Sequence, residues 1–449
     1  MRLSTLAKKL ALLVLVGFAA TALAFAGGQQ EAAEEGGGGA AAEEEQEQEQ
    51  MQAEEQGSVQ VAFDSRTDRE KIFRDVLSDF IDQGQVELRA LPGTSGEQFN
   101  FYTQRFAAEA STPDTIHMDI VWPATFAGAG WALPLDDYVS QDTQDQYLES
   151  YINALNVDGE LVGLPGDADA LMFWYRTDLL EKYGYDGPPE TWSELIEMAQ
   201  TIKEGEGNPN LRGITFQGAN IEGLLANFLE FLWGNGGSIL DEDGNIVIDN
   251  QQGVEALQMM IDLSKVHNVA SDAVVDTATD DSRVIFQDGR AIFMMNWTYV
   301  WGRLNSEDSA VKGNVGVSTP PAFEGHDPNV CLGGFQFAVN ANSENPELAA
   351  EVIQQLSSFE GQKQAALIRG DMPTMKSVYE DEEVIEANPW FEQVRPILAT
   401  GKSRPKSPTY GEVSSAIRNE LSAALGGQKT AEEALSDAAD ALEDLTLYQ

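Results

Sequence analysis

Hydrophobic positions recur along this chain in two periods, and the change from one to the other marks out its elements. Val59-Gln60-Val61-Ala62-Phe63 reads as a strand entering a core. From Asp68 to Ile81 the apolar residues Ile72, Phe73, Val76, Leu77 and Phe80 fall at helical spacing, and Val86 to Leu91 returns to strand character. Phe99, Tyr102 and Phe106 mark a second helix, and Ile116 to Trp122 a third strand. Strand, helix, strand, helix, strand predicts a parallel sheet with helices on its faces.

Helix starts further along carry their own chemistry. Thr191 can cap the first free amides of a helix while Glu194, three residues on, reaches back, and Trp192, Leu195, Ile196 and Ala199 give that helix an apolar stripe. Asn345-Pro346 starts another with proline at the first helical position. Thr430-Ala431-Glu432-Glu433 opens a closing helix that runs through Leu445. There is no short internal repeat, and the pattern is α/β throughout. Asp241-Glu242-Asp243-Gly244-Asn245 fails as a calcium loop, because its sixth position is Ile246 rather than glycine; a hairpin turn at Asp243-Gly244 is the expectation.

The N-terminus has different logic. Arg2, Lys8 and Lys9 precede the apolar run Leu10 to Phe18 and then Ala24-Phe25-Ala26, the layout of a secretory signal peptide over residues 1–26, with an uncleaved anchor as the alternative. Residues 27–57 are runs of Gly, Ala, Gln and Glu without aromatics, Lys or Arg, and read as a disordered acidic tether. The expected location is therefore periplasmic or extracellular. The one cysteine is Cys331, so an intramolecular disulfide is excluded, and Ala26-Gly27 at the cleavage point disfavours a cysteine lipid anchor. About 390 residues remain after the tether, enough for two domains.

Charge and motifs narrow the chemistry. A formal net charge of -47 repels phosphate backbones and argues against nucleic acid; it fits either a saline habitat or ordinary acidic bias. His117, His267 and His326 lie far apart with no metal-ligand spacing, and Cys331 has no nucleophile context and reads as a buried thiol. Gly401-Lys402-Ser403 has Pro396 where a phosphate loop needs glycine, and no Gly-x-Ser-x-Gly elbow occurs. Carboxylates are too numerous to single out a glycoside-cleaving pair. The reading is a non-enzyme without metal or cofactor.

What the chain offers is aromatic residues near polar ones. A sugar presents an apolar face of C–H groups and a rim of hydroxyls, and its recognition needs flat platforms together with fixed carboxylates, amides or guanidinium groups. Trp122 near Asp119, Trp174 near Asp169, and Asn296-Trp297-Thr298-Tyr299 are candidates, though for any single tryptophan taken alone core packing is the favoured reading.

Longer stretches then resemble a known family over nearly all of the mature chain. Asp119 to Trp131 followed by Pro134-Leu135-Asp136, Tyr175 to Tyr185 with Pro188-Pro189-Glu190-Thr191-Trp192, Asn296 to Gly302, Leu332-Gly333-Gly334-Phe335 and Arg404-Pro405 occur in the order found in extracellular solute-binding proteins for maltose and trehalose. The resemblance implies a two-lobed periplasmic-binding-protein fold with crossing hinge segments and a ligand cleft between the lobes. One lobe would hold 58–166 and 336–371, the other 169–332 and 372–449. Asp119 and Asp169 would accept sugar hydroxyls from opposite lobes, Trp297 would stack on a ring, Gly334 would allow close approach, Phe335 would be a second platform, and Arg404 would offer a forked donor. Glu70 and Thr94 join the set by looser spacing. The implied partners are a di- or oligosaccharide such as trehalose, maltose or another α-glucoside, and the transmembrane subunits of an ABC permease, with the chain a monomer. A sugar sensor is the alternative role, and a carbohydrate-active enzyme a third. Relatives have tryptophan at Phe335 and aromatics within Gly166-Asp167-Ala168, so a smaller or differently hydroxylated sugar is implied here.

Overall fold

The computed structural model describes residues 57–65, 69–91 and 95–447. The chain falls into two units, Met1–Glu49 and Gln50–Gln449, and the described fold belongs to the second. The signal segment, the tether apart from Gly57, and Thr94 lie outside the described residues. Among those residues no helix is long and apolar enough to cross a membrane.

Strand β1 (Val59–Asp64) is followed by helix α1 (Arg69–Val76), strand β2 (Val86–Leu91), helix α2 (Ser95–Phe106) and strand β3 (Thr115–Asp119), the expected alternation. Ile72, Phe73 and Val76 bury the inner stripe of α1, as their spacing predicts. β1 and β2 pair in parallel, from Val59 with Val86 to Asp64 with Leu91. β3 is tied to β1 mainly through side chains: Gln60 N–H donates to Asp114 Oδ2 at 2.7 Å and Ala62 N–H to Thr115 Oγ1 at 3.2 Å. The strand expected to reach Trp122 ends at Asp119, because Pro123 opens helix α3 (Pro123–Gly128) and its missing N–H and fixed φ suit a helix start.

After helix α4 (Glu149–Leu155) comes β4 (Asp167–Arg176), which leaves the first lobe for the second. There follow α5 (Trp192–Glu206), β5 (Arg212–Thr215), α6 (Glu222–Trp233), α7 (Thr279–Gln287), β6 (Ala291–Trp297) and β7 (Val315–Ser318). The chain returns through β8 (Leu332–Gly333) and β9 (Phe335–Val339), then α8 (Pro346–Ser357), α9 (Phe359–Arg369) and β10 (Met372–Pro373). It closes with α10 (Phe391–Thr400), α11 (Tyr410–Leu425) and α12 (Ala431–Leu442). Thr191 and Glu194 form the capping box predicted for α5, Thr430 and Glu433 the one for α12, and Pro346 starts α8. The hairpin at Asp243-Gly244 is present: Leu240 bridges Ile246, and Gly244 takes φ +82°.

The sheets are mixed rather than parallel. In the second lobe the order is β8-β4-β6-β5, with β7 and β10 also on β4. β5 and β6 run parallel, while β4 and β6 run antiparallel. In the first lobe β9 pairs antiparallel with β3, Phe335 opposite Asp119. β8 pairs with Asp169 and Ala170, and β10 with Asp167 and Ala168, so the three crossing segments meet on four residues of β4. This is the two-lobed fold with crossing hinge segments. Gly334 shows how tightly it is built: its φ is +108°, and a Cβ there would stand 2.2 Å from the Asp167 carbonyl oxygen.

Strand parity divides the core. Leu171 and Phe173 of β4, with Phe293 and Met295 of β6, face one hydrophobic cluster that includes residues of α5, α6, α11 and α12. Met172, Trp174 and Met294 face the other cluster, which continues into the first lobe. There the rings of Trp174, Trp301 and Trp390 lie within 6.3 Å of one another, centroid to centroid.

Candidate functional site

Two tryptophans considered as platforms are core residues. Trp174 is fully buried, and its indole N–H donates to the Asn296 carbonyl at 2.8 Å; being five positions from Asp169 on one strand, it points to the opposite face. Trp122 is buried against Phe126, ring centres 5.8 Å apart at 11°, and against Phe99.

Asp119, Asp169, Trp297, Gly334, Phe335 and Arg404 converge where the crossings meet. Asp119 closes β3, and its Oδ2 accepts from the Ser95 hydroxyl at 2.9 Å. Its Oδ1 lies 3.8 Å from Arg404 Nη2. Burial pushes its carboxyl above the usual range, and Arg404 and Ser95 draw it back.

Asp169 sits in the crossing stretch of β4. Its Oδ1 accepts from the N–H of Thr298 at 2.7 Å, from the N–H of Ala170 at 2.8 Å and from the Thr298 hydroxyl. Its backbone exchanges hydrogen bonds with the Tyr151 hydroxyl, at 2.8 and 3.1 Å. Oδ2 has no partner among the described residues. Burial pushes this carboxyl up to about 7 against the pull of the Thr298 donors. Trp297 ends β6, half-buried, with its ring against Gly333, where a Cβ would come within 2.7 Å of Cζ3.

Arg404 joins the two sides. Its side chain is 3% exposed. Nη1 donates to Glu222 Oε1 at 3.0 Å, Nη2 to the Leu332 carbonyl at 3.4 Å, and Nε is buried without a partner among the described residues. The guanidinium stands 5.7 Å from the Trp297 ring centre. Burial alone would lower its basicity, but the carboxylates of Glu222 and Asp119 beside it oppose burial and hold it charged. Glu222, the first residue of α6, was missed by sequence reasoning. It also accepts from the Tyr410 hydroxyl and, at 2.5 Å, from Ser414, and these partners with Arg404 outweigh burial and hold it below the usual carboxylate range. No motif marks it; only its place at a helix start hints at a role. The segment after Arg404 reaches the first lobe, Lys406 donating to the carbonyls of Asn153 and Asn156 at 2.6 and 3.1 Å.

Glu70 falls away from this cluster: it is exposed on α1 and pairs with Arg74 at 2.8 Å. Its neighbour Arg69 turns inward instead, Nη2 donating to Asp167 Oδ1 at 2.7 Å. Phe335 has His117 stacked on it, ring centres 4.7 Å apart at 11°, and the Arg69 guanidinium 5.9 Å from its centre. Gly334 makes its close approach to the backbone of β4. Cys331 is buried, its thiol pushed up to about 12 chiefly by burial, and its N–H donates to Glu230 Oε1 at 2.8 Å. Among the described residues no group of three or more His, Cys, Asp or Glu is placed to hold a metal ion.

Two α/β lobes linked by three crossings, with carboxylates, an indole and a guanidinium gathered where they meet, define the class of extracytoplasmic binding proteins. Residues 65–363 match the family described as bacterial extracellular solute-binding protein, and the chain belongs to it. An ABC transporter-binding protein assigned in Deinococcus radiodurans is 36% identical over 338 residues, covering 74% of this chain and 80% of the relative. The maltose-bound MalE3 of T. maritima superposes with a TM-score of 0.79 at 36% identity, over 86% of this chain and 99% of that one. The GacH receptor of Streptomyces glaucescens, solved unliganded and with acarbose, shares the fold with a TM-score of 0.76 at 24% identity, over 87% and 99% of the two chains.

Proposed function

We propose that this chain is the extracytoplasmic substrate-binding component of an ABC importer, that it takes a neutral sugar of the maltose, trehalose or wider α-glucoside class between its lobes, and that it delivers it to the permease. The observation that carries the reading is the pairing at Asp169: a carboxylate fixed through Oδ1, with Oδ2 open, beside the half-buried Trp297. The indole would cover the C–H face of a ring while Oδ2 accepts a hydroxyl. Asp119 would accept from the first lobe, and the unpartnered Nε–H of Arg404 would donate. Closing about the crossings would bury the sugar and stabilise the form that the permease recognises. Relatives at 36% identity, one a maltose-bound structure, support the class.

Calorimetry with trehalose, maltose and glucose tests this directly. At least one should bind and raise the melting temperature, since a ligand of the native state stabilises it. Three silent titrations with unchanged melting would remove the sugar assignment. Uptake of that sugar in cells should be lost on deleting the protein, which separates transport from sensing. Release of reducing sugar from oligosaccharide by the purified protein would overturn the non-enzymatic reading.

A further inference from the structure

We infer that the ion pair of Arg69 with Asp167 is the end wall of the cleft and limits the ligand to one or two sugar rings. This rests on the sugar-binding reading and adds a size limit to it. Asp167 and Asp169 stand two residues apart on β4, so their side chains leave the same face of the strand, about 6.6 Å apart along it, roughly the length of one pyranose. Both are half-buried, and the intervening Ala168 is buried on the other face. At Asp169 that face carries an open carboxylate oxygen. One step along, the place is taken. Arg69 bonds Asp167 at 2.7 Å, with side chains only 6% and 11% exposed. Its Nη1 lies 3.8 Å from Asp371, which Arg369 holds at 2.8 Å.

Phe335 completes the wall. With His117 stacked at 4.7 Å and Arg69 at 5.9 Å, its ring is already engaged, which leaves Trp297 as the stacking surface beside Asp169. A further sugar ring on this side would have to displace Arg69. That would strip the buried Asp167 carboxylate of its counter-charge beside Asp371, and either keeping the charge desolvated or taking up a proton costs free energy that neutral hydroxyls do not repay.

The test is a calorimetric series on the full chain with glucose, maltose, maltotriose and maltotetraose. Affinity should peak at one or two rings and fall at least tenfold at three. Equal or tighter binding of the longer sugars overturns the wall while leaving sugar binding intact; no binding of any of them, with trehalose silent as well, overturns both. In a second arm the double variant Arg69→Ala with Asp167→Ala, which removes both charges together, should bring maltotriose to within about threefold of maltose. An unchanged length preference in a folded double variant counts against the wall. The wild-type series decides the matter if that variant does not fold.

Discussion

Arg404 and Glu222 are 182 positions apart in the chain, yet Nη1 of one donates to Oε1 of the other at 3.0 Å. The contact fixes a guanidinium that also lies 3.8 Å from Asp119. Glu222 is thus a positioning residue for Arg404, itself held by Ser414 and Tyr410. Glu222→Gln keeps the shape and removes the charge. It should weaken sugar binding by about 1–2 kcal/mol with the melting temperature nearly unchanged. Arg404→Lys, which lacks the planar fork, should cost at least as much. Titration calorimetry beside a thermal melt separates the two effects, and unaltered affinity in the glutamine variant would sink the positioning role.

Trp297→Ala should cost about 1–3 kcal/mol of binding if the indole is the platform. Trp297→Phe should recover part of it. Lost stability at unchanged affinity would return the ring to a packing role against Gly333.

The Asp169 carboxyl, pushed up to about 7, predicts opposite slopes for affinity and stability. A carboxylate that accepts a sugar hydroxyl must be ionised, so affinity should hold above pH 7 and fall below it, by at most tenfold per pH unit. The free protein behaves the other way. A raised pKa means that the folded state holds the proton more tightly, so this group's contribution to stability is full below its unfolded value near 3.9 and is lost as pH rises through about 7. Asp167, two residues along, reinforces the shift, and the Thr298 donors oppose it. Asp169→Asn should flatten both profiles; calorimetry and melts between pH 5.5 and 8.5 read them, with persistence of the affinity slope in the asparagine variant as the contrary result.

Gly334→Ala should lower stability by about 1–3 kcal/mol or more, since φ +108° is strained for alanine and its Cβ would strike the Asp167 carbonyl. Denaturant unfolding measures it. An unaffected midpoint would mean that the crossing relaxes freely.

The sequence made legible what local chemistry controls. Thr191 with Glu194, Pro346 and Gly244 declared their helix starts and turn, and the spacing of Ile72, Phe73 and Val76 declared its buried face. The family resemblance brought together Asp119, Asp169, Trp297 and Arg404. Pairings between distant segments left no local trace: nothing in Phe335 to Val339 announces an antiparallel partner in β3, so the sheets read as parallel. The resemblance aligns Glu70 only by loose spacing, and a register uncertain by one residue cannot tell it from Arg69, the neighbour that turns inward. Asp167 reads in the sequence only as a departure bearing on which sugar binds, because its counter-ion Arg69 lies 98 positions away. Trp174, a platform candidate only through its nearness to Asp169 in sequence, is the core residue favoured for a lone tryptophan, and strand parity sets it on the far side of β4 from Asp169.

The meeting of all three crossings on Asp167 to Ala170 has a mechanical consequence. A rotation of one lobe against the other pivots close to Asp169, so that residue travels little while the outer edges of the lobes sweep through long arcs. In the proposed binding role, a sugar hydroxyl seated there would act at the short end of a lever, and a sub-ångström adjustment around it would become a displacement of several ångströms at the far rims of the lobes.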